Sequence, residues 1–173
     1  MELLKAISER RSIRSFRPDP LPERDLKTML EAACMAPSAG NCQPWEFVIV
    51  RSEKGKEALA DAAYGQYFLT EAPVVVVVCA NLERSASRYG RRGEQMYCLQ
   101  DTAAAIQNLL LTAHSLGYGT CWIGAFDDEA VAKVIRAPRG IRPVAIIPIG
   151  KPAERPRAPE RIPLERLCHE EHL

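Results

Sequence analysis

The stretch PVVVVVCA, residues 73–80, limits the possible folds more than any other part of the chain. Consecutive valines make a poor helix, because a branched Cβ loses χ1 freedom against the preceding turn. They favour a strand, and with no polar residue alternating among them that strand must be buried on both faces. The apolar run from Ala72 to Ala80 is far too short to span a bilayer. It predicts a central strand in a sheet with helices on both sides. WEFVIV (45–50) and RPVAIIPIG (142–150) supply further strands, and CWIGAF (121–126) a shorter apolar segment.

Between these segments the apolar residues take helical spacing. Glu2 to Glu9 places Leu3, Leu4 and Ile7 on one face, and Glu23 to Met35 continues through Leu26, Met29, Leu30 and Ala33. Lys54 to Ala63 is a weaker helix, and Asp127 or Asp128 caps another through Ile135. Met96 to Leu116 is the longest, apolar nearly all round through Leu99, Ala103, Ile106, Leu109, Leu110 and Ala113. Such a helix is buried in the domain or shared with a second subunit. Pro18, Pro20 and Pro22 hold the chain extended between the first two helices. Asn81 to Gly93, with Arg84, Arg88, Arg91 and Arg92, reads as a basic loop.

No strand leads into GxGxxG or GxxxxGK[ST], so the Rossmann and P-loop folds lack their fingerprints, and an α+β sheet covered by helices fits better. The 173 residues carry no repeat and no second domain, so one domain over 1–173 is expected. Within it, 151–173 is an extended tail, rich in proline and arginine, that needs something to lie against. Lys and Arg number 23 against 22 Asp and Glu, so no overall field recruits nucleic acid or an anionic membrane. The N-terminus has no signal-like apolar core, and six scattered cysteines form no CxxC, which predicts reduced thiols in the cytoplasm. Cys168, His169 and His172 are too few for a zinc site, and no metal is expected.

Three stretches carry candidate chemistry. Arg10, Arg11, Ser12 and Arg14 put three guanidiniums and a hydroxyl within five residues. That set suits a phosphate, although cations at a helix C-terminus also answer the macrodipole. The joint PSAGNCQPW (37–45) offers Ser38, Asn41 and Gln43 as polar edges, Gly40 for an unusual backbone angle or close approach, and Trp45 as a flat apolar surface. These groups match a heteroaromatic ring, while the same residues also make an ordinary turn. GYGTCWIGAF (117–126) brackets Trp122 with glycines, so its backbone N–H groups can support developing negative charge.

ERRSIRSF, APSAGNCQPWEFVIV, QDTAAAIQNLLLTAHSLGYGTCWIGAF and RIPLE occur in this order. The series resembles the nitroreductase family of FMN-dependent oxidoreductases across nearly the whole chain. The resemblance implies an α+β sandwich with a central, mostly antiparallel sheet and an intertwined homodimer holding two FMN sites at its interface. It assigns Arg10, Arg11, Ser12 and Arg14 to the FMN phosphate and ribityl chain. From the other subunit, Pro37, Ser38, Ala39, Asn41 and Gln43 would lie along the isoalloxazine. Gln66 would sit near the pyrimidine side, and Trp122, Ile123, Gly124 and Ala125 would form the turn whose backbone amide faces N5. Arg161 would reach the phosphate from the tail. Many relatives carry a lysine two residues before it, where this chain has Pro159, with Lys151 and Arg157 as nearby cations.

The implied activity is hydride transfer from NADH or NADPH, through flavin, to nitroaromatics, quinones or similar acceptors by a ping-pong scheme. No catalytic triad or carboxylate pair is required, because the cofactor does the redox work. Arg84, Arg88, Arg91 and Arg92 are candidates for the 2′-phosphate of NADPH. The alternative is a flavin-binding sensor or carrier module without turnover.

Overall fold

The computed structural model describes residues 2–173. Four antiparallel strands form one sheet in the order β1-β2-β4-β3, with β1 at Trp45–Val50, β2 at Val74–Asn81, β3 at Gly119–Thr120 and β4 at Ile141–Gly150. The valine run is central, as its composition predicts. Val50 pairs with Val75 on one side, and Val77 pairs with Ile146 on the other. Every residue from Val74 to Ala80 is buried.

Alternation along β2 sorts its side chains between two layers. Val74, Val76 and Val78 join Ala145, Ile147 and Ile149 against α2 (Glu23–Cys34) and α5 (Cys98–Ser115). Val75, Val77 and Cys79 face α3 (Glu53–Ala62) and α6 (Asp128–Val134), with Cys121, Ile123 and Phe126 beside them. α2 buries Leu26, Met29 and Ala33, the stripe that its spacing predicts. Ser52 caps α3 by accepting from the Gly55 N–H, and Asp127 caps α6 by accepting from the Ala130 N–H at 2.9 Å. The three cysteines in apolar segments, Cys79, Cys98 and Cys121, are buried thiols.

Three expectations need correction. Residues 81–93 are not a loop: Leu82–Arg92 is a helix, α4, capped by the Asn81 side chain on the Arg84 N–H. Among its described residues only Ser85 is buried, so the helix has no apolar stripe for sequence reading to find. It breaks at Gly90 (φ 54°) and runs through one π turn, Gly93–Tyr97, into α5. α5 is therefore shorter than the predicted Met96 to Leu116. Trp45 is not an open flat surface either. It is 6% exposed, because as the first residue of β1 it points into the α2–α5 layer.

The periphery looks different. The first helix, α1 (Leu3–Glu9), buries only Ala6, while Leu3 and Leu4 are 65% and 79% exposed. Residues 157–173 are exposed throughout, among them Ile162, Leu164 and Leu167. β1 is an edge strand, hydrogen-bonded to a neighbour on one side only.

Candidate functional site

Residues 11–17 run extended ahead of the prolines, and two neighbours stitch this segment in place. The Ile13 N–H donates to the Thr120 carbonyl (2.9 Å), Arg17 N–H donates to the Lys151 carbonyl, and Ala153 N–H donates back to Ser15. Ile13 and Phe16 point inward. At Gly119 a Cβ would come within 2.7 Å of Ile13, so the close approach of the two segments requires glycine there. The alternation turns Arg14 outward.

Arg10, Arg11, Ser12 and Arg14 come together with Arg157 and Arg161 around a concavity of about 440 Å³. No carboxylate lines it, and among the described residues none of the five arginines forms an ion pair. Burial pushes the Arg10 guanidinium down, and the like charges of Arg11 and Arg161 push it further. Glu154 accepts from the Arg14 backbone N–H nearby, but among the described residues no acid pairs with a guanidinium of the nest, and such mutually repelling cations fit a multiply charged anion such as a phosphate. Arg11 also donates to the Ser8 and Arg10 carbonyls at 2.7 and 2.8 Å, so for this residue the helix-capping reading holds as well. Arg157 lines the concavity beside Pro159. Lys151 does not: its ammonium lies 3.8 Å from the centre of the Tyr118 ring, and Tyr118 in turn donates to Asp25.

Beside this cradle runs the 121–126 segment. Ile123 exchanges two 3.0 Å hydrogen bonds with Ile146, which fixes the alternation: Cys121, Ile123 and Phe126 go inward and Trp122, Gly124 and Ala125 outward. Ile123 is thus a core side chain, and only its backbone is available to a ligand. Among the described residues, neither the Gly124 nor the Ala125 N–H donates to a protein acceptor. The Gln66 side-chain amide donates to the Ala63 and Ala125 carbonyls, both at 3.0 Å, so it braces this turn. Ser12 bridges to Thr120, which joins the turn to the cradle.

The joint lies elsewhere, on α4 and α5. Pro37 leads into it, and Gly40, Asn41 and Gln43 all take left-handed backbone angles (φ 54°, 55° and 49°). At Gly40 an added Cβ would come within 2.6 Å of the Tyr89 hydroxyl, so the glycine meets a close approach as well as an unusual angle. Ser38 accepts from the Gln43 N–H (3.0 Å), and the Gln43 side chain donates to Asn41. Arg84 and Arg88 donate to the Gln43 and Gly40 carbonyls, each at 2.7 Å, and the buried Asp101 accepts from the Ala39 N–H at 3.1 Å. None of these three anchors is visible from sequence spacing, since they lie 41 to 62 residues from what they hold. Arg91 and Arg92 are likewise engaged, with Gln95 and with the Tyr97 hydroxyl. Among the described residues, no hydrogen bond links the joint to the cradle or to the 121–126 turn. One chain thus presents two polar clusters that share no hydrogen bond, a cationic cradle beside open backbone N–H groups, and a braced joint.

Comparison with known proteins agrees with this arrangement. The profile of the Nitroreductase family matches residues 7–67 and 62–151, and the chain belongs to that family. It is 36% identical to an NADH dehydrogenase of Thermus thermophilus, over 94% of this chain and 92% of that protein. It is 28% identical to an FMN reductase [NAD(P)H] of Bacillus subtilis, over 98% of this chain and 74% of the relative. Its fold superposes on a nitroreductase family protein of Clostridium novyi NT with a TM-score of 0.81 and 31% identity, covering 89% and 87% of the two chains. The α+β architecture with its antiparallel sheet is that of the family. Among the described residues, no helix is long and apolar enough to cross a membrane.

Proposed function

We propose that this protein is an FMN-dependent oxidoreductase that accepts hydride from NADH or NADPH and passes it to nitroaromatics, quinones or similar acceptors. The observation that carries this reading is the cradle: five arginines whose guanidiniums form no ion pair among the described residues, next to a turn with two open N–H groups. These residues fit FMN. Arg10, Arg11, Ser12, Arg14, Arg157 and Arg161 would hold the phosphate. The Gly124 and Ala125 N–H groups would offer hydrogen bonds to the ring system, and Gln66 would keep that turn in place. When bound, FMN supplies the reversible hydride chemistry, which no side chain of this cluster can perform. The protein binds, orients and supports charge. Trp122, 39% exposed beside the turn, would wall the space in which a flat donor or acceptor stacks.

The second half-site supports a homodimer. Pro37, Ser38, Ala39, Asn41 and Gln43 would approach the ring from the partner subunit, since nothing in one chain ties them to its own cradle. The apolar face of α1, the open edge of β1 and the exposed leucines of the tail are surfaces a second copy would cover. A dimer of this kind would work in the cytoplasm, and nicotinamide donor and acceptor would react in turn at one face by a ping-pong scheme.

The experiment is a visible spectrum. Protein purified without added flavin, or reconstituted with FMN, should be yellow, bleach with NADH or NADPH under anaerobic conditions and recover on addition of menadione. Protein that takes up no FMN contradicts the reading. Bound FMN that the nicotinamides do not bleach favours a binding module without turnover.

A further inference from the structure

The joint is held by contacts that neither its own turn chemistry nor the flavin reading explains. Three groups of its backbone are engaged from outside: the Ala39 N–H by Asp101 Oδ1, the Gly40 carbonyl by Arg88 and the Gln43 carbonyl by Arg84. Asp101 is 7% exposed, and its second oxygen, Oδ2, is buried with no hydrogen-bond partner among the described residues. Burying a carboxylate and leaving one oxygen unsatisfied is expensive. A core whose only need at this point of α5 was to pack would fill it with a leucine. The carboxyl is therefore kept for its one contact, and that contact ends on the joint.

We infer that Asp101, together with Arg88, is a positioning residue that fixes the path of residues 37–43. The two approach from different helices, α5 and α4, on either side of the Gly90 break and the π turn. Between them they oppose the relaxation of three left-handed residues toward ordinary backbone angles. Arg84 is a weaker third arm because it also pairs with Glu46, which belongs to β1 and tethers it there. The clamp spares the ligand the cost of ordering this loop on binding. This role rests on the proposed flavin site, since that is what the joint would face.

The test uses full-length protein and two readouts. In flavin-free protein, hydrogen exchange should speed up locally at 37–43 in Asp101→Leu and in Arg88→Ala. Asp101→Asn, which keeps an acceptor for the Ala39 N–H, should exchange like the parent. With FMN as the probe, Asp101→Leu should raise the dissociation constant about tenfold and shift the visible band, Arg88→Ala should do so less, and Asp101→Asn should restore parental binding. Arg88 is a surface residue, so its variant folds even if the core substitution does not. Exchange that is unchanged, or that rises across α5 and the sheet alike, overturns the assignment. Parent protein that binds no FMN, with local loosening still seen, refutes the flavin reading and leaves the clamp standing.

Discussion

The centre and the rim of this molecule obey different rules. Around β2, side chains of a single chain remove every valine from water, and the two layers on either side are complete. At the rim, α1 and the tail carry leucines of comparable size and leave them in solvent, with Leu164 68% exposed. Burying a leucine contributes about 1.5–3 kcal/mol, so a chain that exposes several in two segments leaves a substantial stabilisation unused. The centre needs only itself. The rim has the composition of an interface, and the two half-sites of the proposed flavin pocket face the same shortage.

The first way to break this comparison is at the centre. Ile147, fully buried against the α2–α5 layer, should cost about 2–5 kcal/mol of unfolding free energy as Ile147→Ala, read from urea denaturation. A cost below that range would mean that the centre too depends on something outside the chain. Next comes the cradle. Arg14→Ala should weaken FMN by about 1.5–3 kcal/mol in a fluorescence titration while the unfolding midpoint stays put. If affinity is unchanged, the arginines serve only α1. At the rim, Leu164→Ser should raise the dimer dissociation constant by an amount equivalent to about 1.5–3 kcal/mol in sedimentation, and change the stability of the isolated subunit little. Equal loss in both would make the tail part of its own subunit's fold.

The smallest effect is a pH dependence. Burial pushes the Asp101 carboxyl above its ordinary value, only partly countered by the Ala39 N–H. The folded state therefore holds this proton more tightly than the unfolded state. Stability falls as pH rises from the ordinary carboxylate value to the raised one, then stays level. Asp101→Asn removes that loss, so its advantage over the parent should be absent in acid and present at neutral pH. An advantage of the same size at every pH would show that the carboxyl titrates normally.

How much of this is legible in the sequence follows from how local each cause is. The valine run states its own burial, and the prolines state a non-helical path into α2. The cradle is readable because four of its members fall within five residues and the RIPLE motif points to Arg161, whereas Arg157 joins them only through the path of the tail. α4 is hidden because its helix is held by a cap and by polar contacts, with no apolar period to betray it. Trp45 misleads because a turn-rich joint surrounds it, while strand alternation decides where it points. Asp101 looks like one more residue in a long helix. Its role depends on a loop 62 residues away, and no spacing rule spans that distance.

The central claim is that one copy supplies the cradle and another the joint, and subunit mixing tests it most directly. One protein would carry Arg10→Ala with Arg14→Ala, the other Asn41→Ala with Gln43→Ala, each double variant unable to hold FMN. Unfolded together and refolded at equal amounts, they should recover about one quarter of the parental FMN sites, because half of the dimers are mixed and each mixed dimer contains one intact pairing. Recovery of none would mean that cradle and joint serve a site within a single chain, and the account would be wrong.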